Sequence, residues 1–138
     1  MMYLAGKDAG TGTNYQINVD NGLISAGLGW MVDYNSTGCC DDRYAKYVTA
    51  ISTGVWYHLA GVYDSTAHSE TLYLNGVSVA SFDATGLAPQ SSSGHKPGIG
   101  VELGAVTSHY TNGTIDDVRI YNRALSASEV WRLYNGAP

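Results

Sequence analysis

The sequence predicts an all-β fold, an antiparallel two-sheet sandwich closed by one short C-terminal helix. Three observations carry this expectation. Short runs of strand-forming residues recur along the chain with turn residues between them. The composition pairs 11 tyrosines with 17 glycines while only 14 % of residues are charged; tyrosine favours strands, and glycine supplies the tight turns that many short strands need. One helix signal, Ser126 three residues before Glu129, stands near the end. The 138 residues suit a single domain, residues 1–138, and an apolar content of 44 % fills a core without staples.

The elements follow in order. Residues 14–19 alternate, with Tyr15, Ile17 and Val19 on one face. Asn21-Gly22 is a turn, and residues 23–32 form the next strand, where Gly27 and Gly29 mark a bend or a bulge. Residues 35–42 are polar and turn-rich and read as an exposed loop. Residues 44–51 form a further strand. Residues 55–63, nearly continuously apolar, read as a strand buried on both faces, with His58 as a satisfied core histidine. The clearest local signal lies in residues 72–79, where Asn75-Gly76 separates two alternating runs. That is a two-residue type I′ hairpin, because both central residues need positive φ. Residues 87–97 form a long loop, and residues 99–103 and 113–121 form the last two strands. The helix runs over residues 126–134, with a Ser126/Glu129 capping box, Leu125 stapled onto Val130, and Gly136 as its stop. It reads as a lid on one edge of the sandwich.

Charge and cysteine content narrow the function classes. A net charge of −5, with the 7 basic residues scattered in sequence, argues against nucleic acid as a partner, because phosphate neutralisation needs clustered cations. No apolar run is long enough to span a membrane, and no signal peptide opens the chain. Cys39 and Cys40 are adjacent, so a bond between them would close only a strained small ring; they read as free thiols. No cysteine and histidine spacing suggests zinc.

Two stretches carry a resemblance. The first is Gly54-Val-Trp-Tyr-His-Leu-Ala-Gly-Val-Tyr-Asp64 followed by Leu72-Tyr-Leu-Asn-Gly-Val77, and the second is Asn112-Gly-Thr-Ile-Asp-Asp-Val-Arg-Ile-Tyr-Asn-Arg-Ala-Leu-Ser126 followed by Glu129. Their order and spacing resemble the LamG-like jelly-roll domains of the concanavalin A-like lectin and glucanase superfamily. The resemblance spans residues 3–135 and is strongest from residue 55 onward. It implies a jelly-roll sandwich and an extracellular or cell-surface setting; the chain itself shows no export address, which leaves the cytoplasm open. Members of the family usually begin with further strands, an aspartate- and glycine-containing stretch and a tryptophan-containing strand, whereas this sequence opens at what corresponds to the following strand, residues 3–8. The resemblance therefore predicts a sheet edge with exposed apolar surface and unpaired backbone. A second copy of the chain, giving a homodimer, would cover that edge; a variant that manages with fewer strands is the alternative.

Candidate sites divide by chemistry. Asp116 and Asp117 lie in the predicted strand 113–121, where a period of two places Asp116 on the inward face with Val118 and Ile120. The matching stretch in the family often lies near a structural calcium site, which implies calcium at Asp116 or Asp117; a salt bridge or backbone hydrogen bonds are the alternative. Asp41-Asp42 is a weaker calcium candidate. For sugar stacking the candidates are Trp30, Tyr34, Tyr44 and Tyr47 around the polar loop, with His109, Tyr110 and Asn112 before the last strand. Trp56, Tyr63 and Tyr73 are assigned to the scaffold, and Trp131 and Tyr134 to helix docking.

Catalysis has little to draw on. The chain has three glutamates, of which Glu129 serves the capping box and Glu70 sits beside a turn. No closely spaced run of acidic residues matches the catalytic strand of the related glucanases, and retaining chemistry needs two carboxyls about 5–5.5 Å apart. Glu102 is the one glutamate on a plausible inner strand. The first expectation is thus a non-catalytic module that binds a glycan, with or without calcium. A structural or cell-surface protein-interaction module, assembled as a dimer, is the second. A degenerate glycoside hydrolase or lyase is the third.

Overall fold

The computed structural model describes residues 2–8, 13–20, 27–32, 44–89, 96–103, 107–108 and 110–136. Its elements are β1 (Met2–Asp8), β2 (Thr13–Asp20), β3 (Gly27–Val32), β4 (Ala45–Val48), β5 (Leu59–Asp64), β6 (Ser69–Leu74), β7 (Val77–Asp83), β8 (Pro97–Ile99), β9 (Glu102–Leu103), β10 (Thr107–Ser108) and α1 (Ala127–Tyr134). The pairing is antiparallel in a five-stranded sheet ordered β4-β3-β2-β1-β8, a three-stranded sheet β5-β6-β7 and a small β9-β10 ladder. The two larger sheets pack face to face, as the all-β jelly-roll sandwich predicted, with β5 against β2 and β3, and with β6 and β7 against β4. Val19 and Ala45 from one sheet meet Leu72 from the other, with Ala84 beside them, and Tyr15, Ile17, Leu59 and Phe82 pack around that centre.

β2 is covered on both sides. Tyr15, Ile17 and Val19 face the sandwich core as the alternation predicts. On the opposite face, Gln16 and Asn18 are also buried. Part of the cover comes from the chain after β8. Gln16 pairs with Gly6, and Gly6 with Gly98, which puts the three on one row of the outer face. A side chain at Gly98 would run into the Val101 carbonyl oxygen and meet Leu103 Cγ at 3.3 Å, so the turn into β9 folds over that row.

The hairpin prediction is met in detail. Asn75 and Gly76 have φ of 52° and 79°, the type I′ signature. The Asn75 side chain accepts from the His58 backbone N–H at 2.9 Å, and the Asn75 N–H donates to the His58 carbonyl at 2.8 Å, which ties the turn to the start of β5. Glycine is needed at 76 for space as well, because a Cβ there would lie 3.2 Å from Tyr134 Cβ and 3.3 Å from Trp131 Cα. The helix also forms as read. The Ser126 hydroxyl accepts from the Glu129 N–H while the Glu129 carboxylate accepts from the Ser126 N–H, and Gly136 follows the C-cap at φ 71°.

Three readings need correction. The predicted strand 113–121 is not a strand; residues 111–121 join no ladder. Asp117 has φ 52°, which interrupts an extended run there. Asp116, Val118 and Ile120 accordingly stand exposed, not on a core face. The predicted strand 99–103 is broken at Gly100, φ 73°, into β8 and β9. Residues 55–58 precede β5 instead of belonging to it, and Val55 and Trp56 are exposed. The loop 35–42, with Cys39, Cys40, Asp41 and Asp42, lies outside the described residues.

Candidate functional site

The sugar-stacking candidates do not form one site. Tyr44 precedes β4 and Tyr47 lies within it, at one edge of the five-stranded sheet, while Tyr110 and Asn112 bracket Thr111, whose N–H donates to the Gly100 carbonyl beyond the opposite edge strand β8. Four interstrand steps, roughly 19 Å, separate those edges. Tyr47 packs on the core, whereas Tyr44 is partly buried under the Lys46 ammonium, 5.9 Å from its ring centroid. The backbone of Trp30 pairs with Ile17 and Ala45. Tyr34 and His109 lie outside the described residues.

Asp116 and Asp117 have local partners. Asp116 Oδ1 accepts from the Asp117 N–H at 2.8 Å, and Asp117 Oδ1 accepts from Arg119 Nε at 2.8 Å. The hydrogen bond to Asp117 holds the Arg119 guanidinium above its ordinary pKa. Calcium takes six to eight oxygens. Among the described residues no third carboxylate or imidazole joins these two, and one of the pair is engaged by a cation. This arrangement does not fit a calcium centre by itself.

The acidic residues near the sheets are also committed. Asp64 Oδ1 accepts from the Ala67 and Thr66 N–H groups, which lowers its pKa, and the Asp83 carboxylate accepts from the Thr85 side chain and N–H with the same result. Glu70, which the sequence places beside a turn, is fully buried in β6 between Tyr63 and Phe82 in the ladder. A carboxylate closed off from solvent in this way has no access to a polymeric substrate. The side chain of Glu102 lies outside the described residues.

Two further exposed aromatic residues meet the Asn75-Gly76 turn. Trp131 and Tyr134 reach it from α1, and yet Trp131 is 55 % exposed. The Tyr134 ring lies 5.9 Å from the His58 ring, and two residues before His58 stands Trp56, 67 % exposed. Val77, next to the turn, is exposed as well. Trp56 is therefore not the scaffold residue its neighbours in sequence imply. His58 is only half-buried, and its Nδ1 is buried with no hydrogen-bond partner among the described residues. Burial lowers its pKa, Arg119 acts in the same direction, and Asp117 opposes both. Helical spacing could have flagged this cluster. Val130 is the buried residue of α1, and Trp131 and Tyr134 lie about 100° and 40° around the helix from it.

A cleft of about 250 Å³ opens between residues 119–125 and α1. Arg119, Arg123 and Arg132 line it with Tyr121, Leu125 and Glu129. Both terminal nitrogens of Arg123 hold the Glu129 carboxylate, at 2.7 and 3.1 Å. That contact, with those from the Ser126 N–H and hydroxyl, depresses the Glu129 pKa from 4.5 to about 2.

The family model described as concanavalin A-like lectin/glucanases superfamily matches residues 2–131. Among solved structures, the chain is similar to an S-layer domain-containing protein from Clostridium thermocellum, at 26 % identity and a TM-score of 0.49, over 87 % of this chain and 55 % of that one. The chain thus spans about half the length of that protein's structure. No curated protein matches. No helix among the described residues is long and apolar enough to cross a membrane.

Proposed function

Since the chain belongs to the concanavalin A-like lectin/glucanase superfamily, we propose that it is a non-catalytic module that recognises a glycan at or outside the cell surface. One observation carries this reading. Trp131 and Tyr134, both exposed, meet the Asn75-Gly76 turn from α1, and Trp56, exposed as well, stands two residues before His58, whose backbone N–H donates to the Asn75 side chain. Indole and phenol rings are large apolar surfaces with one polar handle. The C–H faces of a pyranose ring pack on such surfaces, while nearby polar groups hold the hydroxyls. The site is a different one from the Tyr44/Tyr47 and Tyr110/Asn112 groups, which lie on opposite sheet edges.

The test is a broad glycan and polysaccharide array, run in calcium and again in chelator, with Trp56→Ala and Trp131→Ala beside the parent chain. Binding to one glycan class, a shift in tryptophan fluorescence, and a loss of at least about tenfold, or 1.4 kcal/mol, in each variant are expected. An array silent in both conditions would overturn the reading. Calcium would need more oxygen ligands than Asp116 and Asp117 bring, so the difference between the two conditions measures whether an ion assists at all.

A second reading, a structural or protein-interaction module that pairs as a homodimer, is favoured by a different observation. The three-stranded sheet ends at β5, and beyond it Ile99 on β8 is 58 % exposed, with Val118 and Ile120 exposed in the ladderless segment. A second copy laid on that apolar surface would cover it. Its test is the oligomeric state.

A further inference from the structure

We propose that the cleft between residues 119–125 and α1 is an anion subsite that takes the carboxylate of a uronic-acid residue in a bound polysaccharide. The proposal rests on the glycan reading for its ligand class and adds to it the charge of the sugar and the residue that reads it.

The charge distribution is the first argument. The chain carries a net charge of −5, yet three of its seven basic residues, all between positions 119 and 132, line this one cleft. Their only acidic companion in the lining is Glu129. With Asp117 on Arg119 and Glu129 on Arg123, the cleft keeps one net positive charge, that of Arg132, on an acidic molecule.

The state of each guanidinium is the second. Arg123 is committed to Glu129 by two hydrogen bonds and also donates to the Ala124 carbonyl at 3.2 Å. Arg119 is anchored through Nε to Asp117, which leaves its terminal nitrogens toward the Tyr121 side. Arg132 is exposed, and no carboxylate among the described residues pairs with it. Arg132 is thus the available cation, set three residues beyond Glu129 on the same side of α1. A planar guanidinium offers two parallel N–H donors that match a carboxylate, and this fork geometry selects a carboxylate over a hydroxyl.

Shape is the third. Tyr121 and Leu125 supply an apolar wall, and a volume of about 250 Å³ suits one sugar ring rather than a helix or a strand.

The test uses the intact chain and three probes: oligogalacturonate, its fully methyl-esterified form and a neutral glucan, titrated by calorimetry at a fixed moderate ionic strength. The ester keeps the ring and removes the charge. Because the whole molecule is acidic, bulk electrostatics work against the free acid, and a preference for it reports a local site. The free acid is expected to bind at least about tenfold more tightly than the ester, with Arg132→Ala abolishing that preference and Arg132→Lys restoring only part of it. The melting temperature of both variants should match the parent, since Arg132 is exposed. Equal binding of acid and ester, or a preference that survives Arg132→Ala, would overturn the subsite while leaving the glycan reading intact. Failure of all three probes, together with a silent array, would overturn both.

Discussion

Residues 69–83 and residues 111–121 read alike as strand text, and the structure treats them oppositely. The first stretch folds into the β6–β7 hairpin, with Leu72 fully buried in the sandwich core. The second carries Ile115, Val118, Ile120 and Tyr121, yet makes no ladder and leaves Ile120 72 % exposed. The difference lies in where each stretch finds its partner. The hairpin contains its own, because the Asn75-Gly76 turn brings the two runs together at the cost of closing only two residues. Residues 111–121 have no neighbour in sequence to pair with, and Asp117 at positive φ interrupts the pleat. Alternation proposes a strand; a hydrogen-bonding partner makes one.

The largest expected effect breaks the first region. Leu72→Ala removes a side chain with no exposed surface from between the sheets, and such substitutions cost about 2–5 kcal/mol. We expect about 3 kcal/mol from the shift in the denaturant midpoint at unchanged slope. A loss below about 1 kcal/mol would mean that the two sheets are not packed as described.

That contrast also explains what could be read in the sequence. Signals complete within a few residues were legible. Asn75-Gly76 fixes a turn by its need for positive φ, and Ser126 with Glu129 fixes a helix start by pairing two orphan backbone donors. Tyr15, Ile17 and Val19 gave the core face of β2 correctly. Signals that depend on distant chain were not legible. Nothing near Gln16 announces that the turn after β8 folds over its row, or that Glu70 two positions from Leu72 is as buried as the leucine. The site was less legible than the fold for the same reason. Trp56 sits beside an apolar run and reads as scaffold, and nothing near Arg119 and Arg123 announces that α1 packs beside residues 119–125 and brings Arg132 to the same cleft.

A smaller effect sharpens the comparison through pH. Glu129 holds the helix to the end of the ladderless segment through Arg123 and Ser126, and these contacts lower its pKa from 4.5 to about 2. A carboxylate with a depressed folded-state pKa contributes its stability fully above its unfolded value and loses it as pH falls through the folded one. The contribution should therefore fade between about pH 4.5 and pH 2. Glu129→Gln should melt lower than the parent at neutral pH, and the gap between the two should close over that window. A gap that stayed constant down to pH 2 would show that the carboxylate's charge is not what anchors α1.

The smallest expected effect belongs to Ile120→Ala, and it decides what the ladderless segment is for. In a monomer, an isoleucine that solvent already reaches loses little on truncation, and the change should stay within about 0.5 kcal/mol. The value should not depend on protein concentration, and light scattering at micromolar concentration should report one chain. If a second copy covers Val118 and Ile120, the same substitution removes buried apolar surface from an interface, each buried methylene being worth about 0.8 kcal/mol. The parent would then melt at a temperature that rises with concentration, because association stabilises by mass action, and the variant would dissociate first. A neutral, concentration-independent result leaves the two regions different in kind, one a folded hairpin and the other an exposed strap to the helix. A concentration-dependent loss would make them alike after all, with residues 111–121 a strand whose partner is supplied by another molecule.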